Sequence, residues 1–394
     1  MSFLTRKRCV GLKLETSPYT FPQDDLAQAD YDFKAYDVSY GTTVEETKRQ
    51  YALGNLSALS SIMGKRSGTV SFSVDMGYSG TAETAPEWAK LLKACGYTET
   101  IAGGKITYKP DSKKTATPAV IEVAELEEGA SPKQVVVQLR GSMGNVTWEL
   151  ANVGAPIKMQ FEFTGVIQNI KDRVTPIVPA GYDTTTAEAV LGAAVRVFDE
   201  TLDLDSITVA TGNTVELYVD PNAPEGYSGA HITGREPTAQ LNPYMGTIAN
   251  RPVWGRIVAG TTGEFICSVG DNMYIKCPKL QVIGGYDGSD RNGAVVNALN
   301  CILTGNSGDD EIEIVHGESA TDKVTLTYIA GDNGSIIGDT VQVIDENGDG
   351  TAVYAEADTG YEFSQWSDES TDNPRQDTSV SANLTVTAEF TEII

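Results

Sequence analysis

Histidine is almost missing from this chain, and with it the usual means of acid–base catalysis. There are two in 394 residues, His231 and His316, and neither lies near a serine or cysteine motif. GxSxG is absent, Gly64-Lys65 and Gly104-Lys105 lack the upstream glycine of a phosphate-binding loop, and no GxGxxG follows a strand-like segment. The five cysteines (Cys9, Cys95, Cys267, Cys277, Cys301) are an odd set without CxxC spacing. That pattern speaks against zinc and a disulfide framework, and for a reducing cytoplasm. Basic residues are also few: 29 Lys and Arg against 54 Asp and Glu give a formal charge of −25, the wrong sign for ordinary nucleic-acid binding. No apolar run approaches the ~18 residues of a membrane-spanning helix. After the opening MSFLTRKRCV, Gly11, Lys13 and Glu15 interrupt any apolar segment, so no secretory signal is expected. These absences predict a protein that is not an enzyme and that carries no cofactor and no metal.

What remains is ample for folding. The 40% apolar content is too high for a disordered chain, and the length predicts about two or three domains. Thirty-nine glycines and sixteen prolines, with many Thr and Val, favour a mainly β chain rich in turns. Period-two alternation is clear at 69–76 (Val70, Phe72, Val74, Met76), at 157–164 (Ile157, Met159, Phe161, Phe163) and at 214–219 (Val215, Leu217, Val219). Each run predicts a strand with one covered face. One helix is expected over 84–96: Thr84 and Glu87 have capping-box spacing, Pro86 suits the first turn, Gly96 supplies the stop, and Trp88, Leu91, Leu92 and Cys95 form an apolar stripe. Residues 186–198 are ambiguous between helix and strand and are read as strand. Segments 16–45 and 220–252 read as long loops, either surface loops or arms embracing a neighbour.

Charge locates a boundary. Residues 320–394 hold fifteen acidic residues against Lys323 and Arg375 alone. A shift that sharp predicts two domains, 1–318 and 319–394, joined by a linker near Gly317–Asp322. The acid runs Asp199, Glu200, Asp203, Asp205 and Asp309, Asp310, Glu311, Glu313 read as solvated strand edges rather than glycosidase carboxylates. Asp345, Asn347, Asp349, Gly350 and Glu356 satisfy a calcium-loop pattern, but the flanks GDTVQVI and TAVYAEA read as strands, so a hairpin turn is expected there and calcium binding is the minor alternative.

The stretch GKRSGTVSFSVDMGYSGTAETAPEWAKLLKACGY from Gly64 resembles siphovirus-type (long, non-contractile) bacteriophage major tail tube proteins. So, in order, do residues 141–165 ending ELANVGAPIKMQFEFTG, 212–243 (GNTVELYVDPNAPEGYSGAHITGREPTAQLNP) and DDEIEI at 309–314. The resemblance implies a tail-tube β-sandwich or barrel with one flanking α-helix. It also implies a structural virion protein of the phage tail, assembled in the host bacterial cytoplasm. Hexameric rings would stack into a tube that encloses the tape-measure protein and conducts genomic DNA as a non-bound passenger, with tail terminator and tail-tip proteins as further partners and no membrane. Its inter-ring loop would fall at about 37–67, making Glu45, Glu46, Lys48, Arg49, Lys65 and Arg66 candidate inter-ring contacts.

In the last 75 residues, Gly360, Tyr361, Phe363 and Trp366 of GYEFSQW, then Asn373-Pro374 and LTVTAEF ending at Phe390, resemble internalin-type B-repeats of bacterial surface proteins. The resemblance implies a small all-β, immunoglobulin-like decoration domain whose core is made by Phe363, Trp366 and Phe390. Taken alone it supports an alternative function, that of a bacterial surface adhesin or carbohydrate-binding protein.

Overall fold

The computed structural model describes residues 3–16, 25–49, 60–113, 117–129, 132–149, 155–177, 187, 195–198, 200–248, 251–270, 272–318, 323–346 and 348–393. The chain divides into two compact units, Met1–Ser319 and Ala320–Ile394. Both are mostly β-sheet, and the second is small and all-β.

The first unit is built on a branched sheet of sixteen strands. Branching occurs at two long strands whose partners share an edge end to end. Gln134–Glu149 pairs with Lys158–Arg173 along one edge, while Ala119–Glu127 and Leu204–Ala210 divide the other. Met273–Arg291 pairs with Thr262–Val269 on one side and with Glu313–His316, then Ala294–Thr304, on the other. Among the described residues this pairing closes no ring, and of the expected sandwich or barrel the structure establishes a mostly β-sheet unit.

The alternation at 69–76 and 157–164 sets the packing directly. Ile62–Asp75 and Lys158–Arg173 are antiparallel, with Val70 opposite Phe163, Phe72 opposite Phe161 and Val74 opposite Met159. Phe72 lies 5.8 Å from Phe161 and 5.9 Å from Phe163 between ring centroids, and all these side chains are buried. Burial on this scale contributes roughly 1.5–3 kcal/mol per side chain.

Three further expectations for the first unit need correction. The helix is only Ala89–Ala94, and Trp88 at its N-cap makes no side-chain cap, so the Thr84/Glu87 capping box is not used. The segment before it is held elsewhere: Trp88 Nε1 donates to the Gly77 carbonyl at 2.9 Å and the Thr84 amide to the Thr81 carbonyl at 3.3 Å. The apolar stripe and the stop are as expected, with Trp88, Leu91, Leu92 and Cys95 buried and Gly96 at φ +86°. Second, neither long segment is a loop throughout. Tyr36–Thr47 is a strand at the sheet's free edge, and Tyr227–Arg235 and Thr238–Pro243 occupy most of 227–243. Third, the strand Asn213–Val219 forms, but Val215 and Leu217 are only partly covered and Val219 is exposed. It belongs to a separate two-stranded hairpin with Tyr227–Arg235 rather than to the main sheet. Of residues 186–198, Val195–Val197 is a strand, and 186, 188–194 and residues 17–24 lie outside the described residues.

The second unit has a four-stranded sheet in the order Val341–Asp345, Lys323–Ala330, Leu384–Glu392, Tyr361–Trp366, plus the pair Gly334–Ile337 and Tyr354–Ala357. Trp366 is fully buried in a cluster with Leu326, Tyr328, Val353 and Val386; Phe363 lies 5.8 Å from it and Phe390 6.1 Å from Phe363, so the three aromatics form the core as expected. Arg375 reaches over the Trp366 ring at 5.4 Å and forks onto two carboxylates. Its NH1 and NH2 donate to Asp368 at 2.8 Å each, and its Nε and NH2 donate to Asp377 at 2.8 and 2.7 Å. The expected hairpin at 345–356 is not formed. Val341–Asp345 pairs with Lys323–Ala330, whereas Tyr354–Ala357 pairs with Gly334–Ile337.

Candidate functional site

A cleft of about 310 Å³ opens on the first unit beside the Asn213–Val219/Tyr227–Arg235 hairpin. The intervening DPNAPEG is a compact turn. The Asn222 amide donates to Asp220 Oδ1 at 2.8 Å, and Gly226 sits at φ +79°, a conformation that suits glycine. At its root the hairpin is stapled to the main sheet. Asn213 Nδ2 donates to the carbonyls of Cys95 (2.8 Å) and Gly144 (2.9 Å), while Asn145 Nδ2 donates to the Asn213 carbonyl at 2.8 Å. Ile232 packs against Gly96 so closely that a Cβ there would lie 2.9 Å from its Cδ1.

Register then builds an aromatic wall. Tyr218 pairs with Gly229, which offers no side chain, next to a bulge between Tyr218 and Val219. Its ring therefore leans along the diagonal onto His231, with centroids 3.8 Å apart and planes 17° from parallel. Both residues line the cleft.

The opposite side is polar. Arg235 NH2 donates to Asp309 Oδ1 at 2.9 Å and reaches both Glu311 oxygens at 3.4 Å. Ser112 donates its hydroxyl to Asp309, and Asp111 lines the same cleft. Burial alone would raise the Asp309 carboxyl, but hydrogen bonds from Ser112 and Arg235 outweigh it and hold the group below its ordinary range. Arg235 Nε is buried without a hydrogen-bond partner among the described residues. The site thus offers an aromatic face, fixed carboxylate acceptors and a guanidinium, a set suited to holding a hydroxylated molecule.

Of the sequence-predicted groups, the structure brings His231 and Glu311 into the cleft and Asp309 against its Arg235. Tyr218, Arg235 and Ser112 went unmarked. The available signal was the polar face of the 214–219 alternation, where a tyrosine sits between Glu216 and solvent-facing neighbours. The remaining acids of these runs are ion-paired or hydrogen-bonded rather than bare edge charges. Glu200 pairs with Arg256, Asp205 with Arg291 at 3.1 Å, and Glu313 with Lys109 at 3.5 Å, while Asp310 accepts from the Asn306 amide at 3.0 Å. Asp199 lies outside the described residues.

His316 is buried between backbone groups. The Ser79 amide reaches its Nε2 at 3.2 Å, Ser79 Oγ lies 3.1 Å from the same nitrogen, and Nδ1 is 3.2 Å from the Ala82 carbonyl. The Ser79 hydroxyl itself donates to the Thr81 carbonyl at 2.8 Å. The pair therefore pins a turn, with the serine proton directed away from the ring. Burial pushes the His316 pKa down and keeps it neutral.

The six residues expected to touch a neighbouring ring sit on Tyr36–Thr47, on Ile62–Asp75 or just beyond the first of them. Glu45 accepts from Lys65 at 3.0 Å and from the Tyr227 hydroxyl at 2.6 Å, Arg66 NH2 lies 4.0 Å from Glu225, and Glu46 accepts from Ser61. Lys48 and Arg49 are exposed. In the calcium-like loop, Asp349 accepts from the Ser379 amide at 2.9 Å, Glu356 lies in the strand paired with Ser335, and Asn347 is outside the described residues. Among the described residues no three His, Cys, Asp or Glu side chains cluster as a metal site would require.

Residues 324–394 match a family described as the divergent InlB B-repeat domain. No curated protein matches the chain. The match supports the internalin-type resemblance of the C-terminal segment and corrects the reading of the whole. A bacterial surface-protein family is what is found, and nothing supports a phage tail tube for the main body. The virion assignment is overturned. The stacked rings, the tape-measure, terminator and tip partners, the passing DNA and the inter-ring role of Glu45, Glu46, Lys48, Arg49, Lys65 and Arg66 were implied by that resemblance alone and are not carried forward.

Proposed function

We propose that the protein is a bacterial surface adhesin or carbohydrate-binding protein, working by recognition rather than catalysis. The observation that carries this reading is the match of residues 324–394 to the InlB B-repeat family. The cleft beside the hairpin supports it, since it offers stacking and hydrogen-bonding groups: Tyr218 lies on His231, and Arg235 is held by Asp309 and Glu311.

The odd cysteine count, which the sequence sets against an extracellular location, loses force in the structure. Cys95, Cys267, Cys277 and Cys301 are buried, and burial pushes the partly covered Cys9 up to about 11. Thiols held protonated and out of solvent oxidise slowly, so they are compatible with an oxidising exterior.

The test is surface labelling of intact bacteria producing the full chain, using a membrane-impermeant amine-reactive biotin. The expected outcome is labelling of the protein on whole cells to an extent close to that after lysis. Labelling only after lysis would overturn the surface reading.

A further inference from the structure

The chemistry of the cleft specifies its ligand more narrowly than recognition in general. Two carboxylates, Asp111 and Glu311, line it, and the guanidinium in its wall, Arg235, is already balanced by Glu311 and by Asp309 behind it. The local field is therefore negative, and an anionic ligand would meet like charge. A purely apolar ligand would strand these polar groups in a dry interface. A molecule presenting a C–H face on one side and hydroxyls on the other satisfies both walls. The exposed Tyr218 ring, stacked on His231, supplies a rigid flat surface whose pairing with Gly229 holds it in place. The lining carboxylates accept from hydroxyls, and the Arg235 guanidinium beside them is the donor. At about 310 Å³ the cleft lies at the small end of ligand pockets, which run roughly 300–1,000 Å³.

Resting on the surface-recognition reading above, we propose that this cleft binds one neutral pyranose residue of a glycan, stacked on Tyr218 and hydrogen-bonded to Arg235 and Glu311, and rejects acidic sugars. The discrimination is electrostatic and built into the residues surrounding Arg235, so it acts on uronic acids without a steric barrier.

Saturation-transfer-difference NMR on the full chain tests it, with methyl β-glucoside, methyl β-galactoside, N-acetylglucosamine and glucuronate offered separately. At least one neutral sugar should show transfer to its ring C–H protons, and glucuronate none. Tyr218→Ala should weaken that sugar about tenfold or more. Glu311→Gln should weaken it too while letting glucuronate bind detectably. Tyr218 is 45% exposed, so its truncation leaves the fold intact; should it melt early, the Glu311 variant gives the reading alone. Silence from all three neutral sugars, equal binding of glucuronate by the unaltered protein, or unchanged binding by the variants would overturn the proposal. Surface labelling is read independently, so absence of sugar binding on a labelled protein removes the ligand and not the location, and the converse holds.

Discussion

Replacing Arg375 by methionine isolates the one cation that holds the small unit together. The guanidinium is nearly buried and makes four hydrogen bonds of 2.7–2.8 Å to Asp368 and Asp377 while lying over Trp366. Methionine keeps a comparable apolar stem over the indole, so the loss is chiefly electrostatic. Removing one partner of a buried ion pair costs about 3–5 kcal/mol, because the other charge stays behind. Here the cost falls towards the lower end, since the Asp368 side chain is 40% exposed and rehydrates, and Asp377 keeps the Tyr328 hydroxyl at 2.8 Å. About 3 kcal/mol corresponds to a melting shift of roughly 12–24 °C for a domain of 60–100 residues. The surroundings add to the effect rather than soften it: with Arg375 gone, fifteen acidic residues share the segment 320–394 with Lys323 alone. Differential scanning calorimetry of the full chain, following the transition of the second unit, is the measurement. Arg375→Lys, which keeps the charge but not the planar fork, should fall between the two. A shift below about 4 °C for the methionine variant would refute the argument, because that is less than about 1 kcal/mol in a domain this size.

Glu122 in the first unit is a second buried hub, accepting from the Leu26 amide (3.0 Å), Gln138 (2.8 Å), Arg173 (2.6 Å) and the Tyr31 hydroxyl. Glu122→Ala should lower urea stability by about 3–5 kcal/mol, and a change under about 1 kcal/mol would show that the network adds nothing. His316 predicts a pH effect of definite sign. Its pKa is depressed in the fold by burial, from 6.5, so below that pH the unfolded chain takes up the proton first. Stability is therefore unaffected by this group above pH 6.5 and declines as pH falls from there towards the lower folded value. Subtracting melts of His316→Gln from those of the unaltered chain between pH 7.5 and 5 should expose that decline, and a flat difference would contradict it.

What the sequence disclosed, and what it hid, divide by distance along the chain. Val70 through Met76 and Ile157 through Phe163 were legible because a strand's two faces are written in alternate residues. The C-terminal aromatics were legible for a related reason, since so small a unit has little else from which to make a core. The helix was overdrawn because Thr84 and Glu87 satisfy a local rule that tertiary contacts override: Ser79, Ala82 and Trp88 are tied to His316 and Gly77. The cleft was illegible as a unit, its walls coming from residues 96, 111–112, 143, 218, 231–235 and 311. Asp349 shows the same limit, as its partner, the Ser379 amide, is thirty positions away. The phage resemblance misled because its motifs are strand, turn and helix signals that many β proteins share.

Among the described residues of the second unit the strands Lys323–Ala330 and Leu384–Glu392 are the first and last, and they are the one parallel pair, matched from Leu326 with Leu384 to Ala330 with Ala388. Parallel neighbours put the start of one strand and the end of the other at opposite ends of the same ladder. Tension applied through the two extremities of the unit therefore runs along that ladder rather than across it. The five matched positions must slip together, whereas an antiparallel pair loaded at one end would open a rung at a time. The unit is thus wired to resist being stretched, and it would fail abruptly in shear instead of peeling.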